Sequence, residues 1–181
     1  MKNKLKFYGP FVVIILILIG WAILFNIVSP AVIVQKIGIQ NAYIFAFVLA
    51  VICGFSSITG ATFYAAVLTL ASGGLNPLIL GIVGGLGLCI SDFAFFFVVS
   101  HGTAVIDKHW EGLSTFIKKW LSRMPAWFIY IFVFLYSAFA PIPNDIMLVS
   151  LAIGKTSFKK FAPYLFLGDI VSVIVLAYIG Y

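Results

Sequence analysis

Five carboxylic acids stand in this chain of 181 residues, and three of them fall where water is scarce. Asp92, Asp145 and Asp169 each lie inside a long apolar stretch, whereas Asp107 and Glu111 lie in a polar one. A carboxylate at the centre of a bilayer costs about 2.5–3.5 kcal/mol on insertion scales, so such a residue faces a bundle interior, pairs, or holds a proton. Polar gating and proton transfer are the chemistry these three residues could perform, which makes the proton an expected partner. Asn144, beside Asp145, adds an amide that can donate and accept. Asp145 also has a plainer reading. Pro143, Asn144 and Asp145 form a helix-start signal, and an acid there favours the first turn. Capping is not open to Asp92 and Asp169, which lie well inside their stretches.

Other chemistry is poorly supplied. Cys53 and Cys89 sit in apolar surroundings and read as small buried hydrophobes. No metal site is expected, because zinc needs about four ligands and His101 and His109 lie outside the apolar stretches. A membrane enzyme such as a lipid phosphatase needs a positioned nucleophile or base. The two histidines stand near Lys108 with no Arg cluster around them. Gly81, Gly84, Gly85 and Gly87 follow no strand, so they suit close helix packing and not a dinucleotide loop. The expectation is a protein without enzymatic activity, cofactor or metal.

The elements that must position the acids follow from composition. Hydrophobic residues are 64% of the chain, charged residues 9%, and the mean hydropathy is +1.20. A soluble domain is about 45–50% apolar and about 25% charged. Soluble, disordered, collagen-like and nucleic-acid-binding classes are excluded, and an integral membrane protein is expected.

Five apolar stretches cover about residues 7–28, 41–73, 77–99, 126–154 and 161–181. A crossing helix needs about 20 residues. The first, third and fifth suit one crossing each; the first follows Lys2, Lys4 and Lys6 and reads as a retained anchor. The second and fourth are too long for one crossing and too short for two. Each is interrupted, by Gly54-Phe-Ser-Ser-Ile-Thr-Gly60 and by Ala140-Pro-Ile-Pro-Asn-Asp145. Glycine, proline and N-cap residues stop and start helices. The pattern predicts helix, break near mid-membrane, then a short helix of about 10–12 residues.

Charge placement favours letting both broken stretches enter the bilayer and return. With the N-terminus cytoplasmic, Lys108, Lys118, Lys119, Arg123, Lys155, Lys159 and Lys160 then also face the cytoplasm, leaving Lys36 outside. Bent backbone at membrane depth must be buried in protein or line a wet cavity, so two breaks imply a central polar site. Each break also opens a helix whose first N–H groups lack partners. Ser56, Ser57, Thr59 and Gly60 begin one such helix, and Pro143 and Asn144 begin the other. Two such ends near the midplane would suit a phosphate headgroup, although the hydroxyls could equally satisfy the broken backbone.

A repeat supports the same plan: Leu68-Thr-Leu-Ala-Ser-Gly73 matches Val149-Ser-Leu-Ala-Ile-Gly154, and each is followed by a helix holding an acid, Asp92 or Asp169. The predicted fold is an all-α polytopic membrane protein with two opposed re-entrant helical hairpins in an inverted repeat. Residues 1–40 form a cytoplasmic tail, anchor and outer loop, and residues 41–181 form the main membrane domain. Between the repeats, Ile106, Trp110, Leu113, Ile117, Trp120 and Met124 make one helical stripe, which predicts an interfacial helix over 104–124.

These residues resemble the DedA/VTT superfamily, also called SNARE-associated Golgi proteins, over about residues 41–181. The resemblance rests on the first broken hairpin, Leu70-Ala-Ser-Gly-Gly-Leu-Asn-Pro77, Gly84-Gly-Leu-Gly-Leu-Cys-Ile-Ser-Asp92 with Phe96, and Pro141-Ile-Pro-Asn144 through Gly154 with Phe158 to Phe161. There are two departures. Residues 56–72 hold no acid where bacterial members usually carry one, and Ile146 stands where they carry an Arg. Asn144 looks closer to the VTT-like branch. The resemblance implies two facing hairpins in a prokaryotic cell membrane. It also implies movement of a phosphate-bearing lipid between leaflets, either undecaprenyl phosphate or a phospholipid, with possible proton coupling. A small-solute or ion exporter on the same scaffold is the alternative, a scaffold or assembly role is not excluded, and a homo-oligomer stays open.

Overall fold

A computed structural model describes residues 30–54, 57–109, 111–140 and 144–181. The anchor expected over 7–28 lies outside them. The described residues form helices, with no strand among them: α1 (Pro30–Ile37), α2 (Ile39–Cys53), α3 (Ser57–Ser72), α4 (Pro77–His109), α5 (Glu111–Arg123), α6 (Ala126–Phe139), α7 (Asn144–Ile153) and α8 (Phe158–Gly180). Pro77–Thr103 and Phe158–Gly180 are each long and apolar enough to cross a membrane. A third span results if α5 and α6, bent by 112°, count as one. This is compatible with an integral membrane protein.

Both long apolar stretches are broken near the glycine and proline signals. The stretch from 41 divides into α2 and α3 around Gly54, and the stretch from 126 divides into α6 and α7 before Asn144. The second helix is longer than expected in the first case, with 16 residues in α3 against 10 in α7. The region after residue 99 also differs from expectation. Among the described residues no separate helix spans 104–124. Instead α4, 33 residues in all from Pro77, continues to His109, and α5 begins at Glu111. The sequence turns polar there but offers no proline, and a lone Gly102 does not stop a helix. On α5, Ser114 and Leu121 are buried while Leu113, Phe116 and Trp120 are exposed.

Helices α4 and α8 form the centre. Gly81 packs on Ile174 and Gly85 on Ile170, so residue numbers rise on one helix as they fall on the other, and the pair is antiparallel. Helices α2 and α7 also pack on α4, and α3 and α6 on α8. Water-driven association is absent in lipid, so small residues that admit close backbone approach must hold such a pair. Asn76 starts α4 by accepting from the N–H groups of Leu78 (2.9 Å) and Ile79 (3.3 Å), with Pro77 in the first helical position.

The two halves share local detail. Helix α3 ends with the Gly74 N–H on Ala71 O (2.9 Å) and the Leu75 N–H on Leu70 O (3.2 Å). Helix α7 ends the same way, with the Lys155 N–H on Ala152 O and the Thr156 N–H on Leu151 O, both at 3.0 Å. Both are Schellman ends, with φ +94° at Gly74 and +55° at Lys155. Farther on, Gly87 packs on Phe47 O and Ala50 of α2, and Gly168 packs on Phe134 O and Ser137 of α6. The left-handed cap conformation strains a side chain by about 1 kcal/mol where glycine is free of it. Lys155→Gly is therefore expected to raise the thermal unfolding midpoint by about 2–4 °C; a lower midpoint would contradict this account of the cap.

Candidate functional site

Two apolar cores flank a polar layer. One core gathers Ala46 and Ala50 of α2, Phe63 and Val67 of α3, Leu88 of α4 and Val173 of α8. The other gathers Phe96 of α4, Val133 of α6, Leu148 and Leu151 of α7, and Phe161 and Leu165 of α8. Residues four apart share a helix face. Leu88, Asp92 and Phe96 thus line one face of α4, and Leu165, Asp169 and Val173 one face of α8. The acid on each helix occupies the turn between the two cores.

Asn144, the first residue of α7, joins them. Its Nδ2 donates to Asp92 Oδ2 at 3.0 Å and to Asp169 Oδ1 at 3.2 Å. Asp92 is 3% exposed and Asp169 is 1% exposed. One amide has two N–H donors, and each carboxyl takes one. The start of α7 is thereby fastened to both central helices. Asp169 Oδ2 and Ser91 Oγ are buried without a hydrogen-bond partner among the described residues.

A cavity of ≈ 620 Å³ opens beside this bridge. Gly54, Gly60, Ala61 and Tyr64 line it from the first broken stretch. Ser137, Ala138, Phe139, Ala140, Asn144 and Asp145 line it from the second. Leu88 and Asp92 of α4, and Ser172, Val175, Leu176 and Ile179 of α8, complete the wall. Gly54 is needed for close approach: a Cβ there would lie 2.9 Å from Leu88 Cδ2 and 3.0 Å from Ser91 Cβ. Tyr64 and Ser172 both bring hydroxyl groups to this wall.

Of the residues singled out from the sequence, Asp92, Asp169 and Asn144 are brought into direct contact, and Asp145 and Gly60 line the adjoining cavity. Asp145 also occupies the first turn of α7. Ser56 and Pro143 lie outside the described residues, as do the side chains of Ser57 and Thr59. The two acids are not in equivalent places. Measured from the paired caps and glycines, Asp169 corresponds to Leu88 and Asp92 to Val173, so they differ by one helical turn. Tyr64, Ser137 and Ser172 enter the site from the structure alone. Ser172 carries a signal in the sequence, since it lies three residues from Asp169 on a related helix face. Ser137 carries none, because a serine in an apolar helix can bond its own backbone, as it does to Val133 O at 2.9 Å. Among the described residues no group of three or more His, Cys, Asp and Glu side chains could hold a metal ion.

No protein-family model, curated protein or solved structure matches the chain.

Proposed function

We propose that this protein moves a phosphate-bearing lipid between the leaflets of a prokaryotic cell membrane, passing the headgroup through the cavity beside Asp92 and Asn144. In this reading it is a transporter of the DedA/VTT type with its N-terminus in the cytoplasm. The two broken stretches are re-entrant hairpins of an inverted repeat. The matched Schellman ends, the matched packing of Gly87 and Gly168, and the antiparallel α4–α8 pair support that arrangement. The observation that carries the reading is the Asp92–Asn144–Asp169 bridge, a buried polar layer between two apolar cores with a cavity at its side. Polar groups inside a membrane are costly and mark substrate or ion paths. The carboxyls are also the groups that would exchange a proton if transport is coupled to one.

Reconstitution in liposomes with lipid labelled in one leaflet tests this. The wild type is expected to redistribute the label faster than empty vesicles, and Asp92→Ala to slow it by more than about tenfold, a barrier higher by at least about 1.4 kcal/mol. If wild-type and empty vesicles behave alike across a range of pH, the proposal fails. Solute uptake without lipid movement would instead favour an exporter.

A further inference from the structure

A second cavity, of ≈ 210 Å³, is lined from both sides of the 112° bend between α5 and α6. Trp120 and Leu121 of α5, Phe132 of α6, and Met147 and Leu151 of α7 are on its wall. It shares no lining residue with the cavity beside Asp92. The polar side chains on the wall are Tyr136 and Ser150, and Ser150 gives its proton to Ile146 O at 2.8 Å. A cavity this apolar stays dry and takes hydrocarbon. Helix α5 itself has three faces. Ser114, Ile117 and Leu121 turn to the protein, Leu113, Phe116 and Trp120 form an exposed apolar stripe, and Thr115, Lys119 and Ser122 are exposed on a third side. Such a helix lies along a membrane surface with its stripe among the acyl chains. Arg123, three residues beyond Trp120, borders the stripe, and the one acid of α5, Glu111, stands at its far end. Gly154 closes on Leu121, which brings the exposed Lys155, and with it Lys159 and Lys160 at the start of α8, to the same side.

We propose that this bend binds one anionic phospholipid, with an acyl chain in the cavity and the phosphate held by Lys119 and Arg123, four residues apart on α5. Charge selects the occupant. Basic side chains around an apolar opening complement a negative headgroup on a hydrocarbon chain and attract it from the membrane surface. A second copy of the chain fits less well, because a two-fold contact centred on this patch brings the same basic cluster from both copies together. Binding here does not depend on lipid crossing the bilayer, so it goes beyond the transport reading above.

Trp120 reports occupancy. In the full chain with Trp21, Trp110 and Trp127 replaced by Phe, it is the remaining tryptophan. In detergent micelles, brominated phosphatidylglycerol is expected to quench its fluorescence at a mole fraction at least about fivefold lower than brominated phosphatidylcholine with the same chains. Added salt narrows that gap, since exposed charges are screened. The double variant Lys119→Gln, Arg123→Gln is expected to remove the gap, and Ser150→Phe, which fills the cavity, to weaken quenching by both lipids. Native mass spectrometry of the otherwise unaltered chain, with both lipids competing, reads the same preference if the single-tryptophan protein does not fold. Phosphatidylglycerol is then expected to be retained at least about fivefold over phosphatidylcholine, and less so in the double variant. Equal quenching or equal retention overturns the charged site, as does a preference unchanged in the double variant. Full quenching in Ser150→Phe overturns the placement of the chain in the cavity. Absence of quenching by either lipid overturns it too, and a dimer under those conditions makes a second copy the occupant.

Discussion

Asn144→Leu is expected to stop transport and to lower the thermal unfolding midpoint by about 6–12 °C, corresponding to a loss of about 3 kcal/mol. The single amide satisfies one oxygen of Asp92 and one of Asp169, at 3.0 and 3.2 Å. Leucine is of similar size but donates nothing. It leaves two buried carboxyls without a donor, and a hydrogen bond to a charged partner is worth about 1.5–3 kcal/mol. The triple variant Asp92→Leu, Asn144→Leu, Asp169→Leu separates stability from function. Replacing a whole buried polar network by apolar groups is often neutral or stabilising. The triple variant is therefore expected to regain most of the lost midpoint and none of the transport. Calorimetry or dye-based unfolding in detergent, beside the liposome assay, reads both quantities. If Asn144→Leu unfolds at the wild-type temperature, the bridge does not hold α7 in place.

Gly85→Leu is expected to separate the two central helices and to lower the midpoint by at least about 6 °C, or to leave no monodisperse protein. A Cβ on Gly85 would lie 2.8 Å from Ile170 Cα and 2.9 Å from Ile170 N. Those are backbone atoms of α8, so no change of rotamer relieves the clash. Overpacking costs about 1–3 kcal/mol where side chains can adjust, and here the helices themselves must part. Gly102 lies on the same helix, and a Cβ there would meet nothing within 4 Å. Gly102→Leu is expected to leave the midpoint unchanged or to raise it by up to about 4 °C, since leucine is the better helix former. Equal losses at Gly85 and Gly102 would show that helix propensity, not the approach of α8, limits position 85.

Several elements are legible in the residues because their signals are local. Proline and glycine interrupt helices through their own backbone, so the breaks near Gly54 and before Asn144 can be placed without knowing the neighbours. The glycines of α4 announce close packing in the same way. The continuation of α4 to His109 is not legible, because residues 100–109 change in polarity while keeping helix-compatible backbones. Hydropathy reports what surrounds a residue and not where its helix stops.

Composition and spacing by themselves determined that the chain is helical and suited to a membrane, and that Asp92, Asp145 and Asp169 would be costly there. Those conclusions depend only on transfer energies and backbone preferences, which each residue carries with it. Which acids meet was decided by the tertiary structure alone. The register of α4 against α8, set by glycines against Ile170 and Ile174, brings carboxyls from non-equivalent turns onto one amide of α7. No periodicity within a single helix encodes that register, because it is the joint outcome of packing between helices distant along the chain.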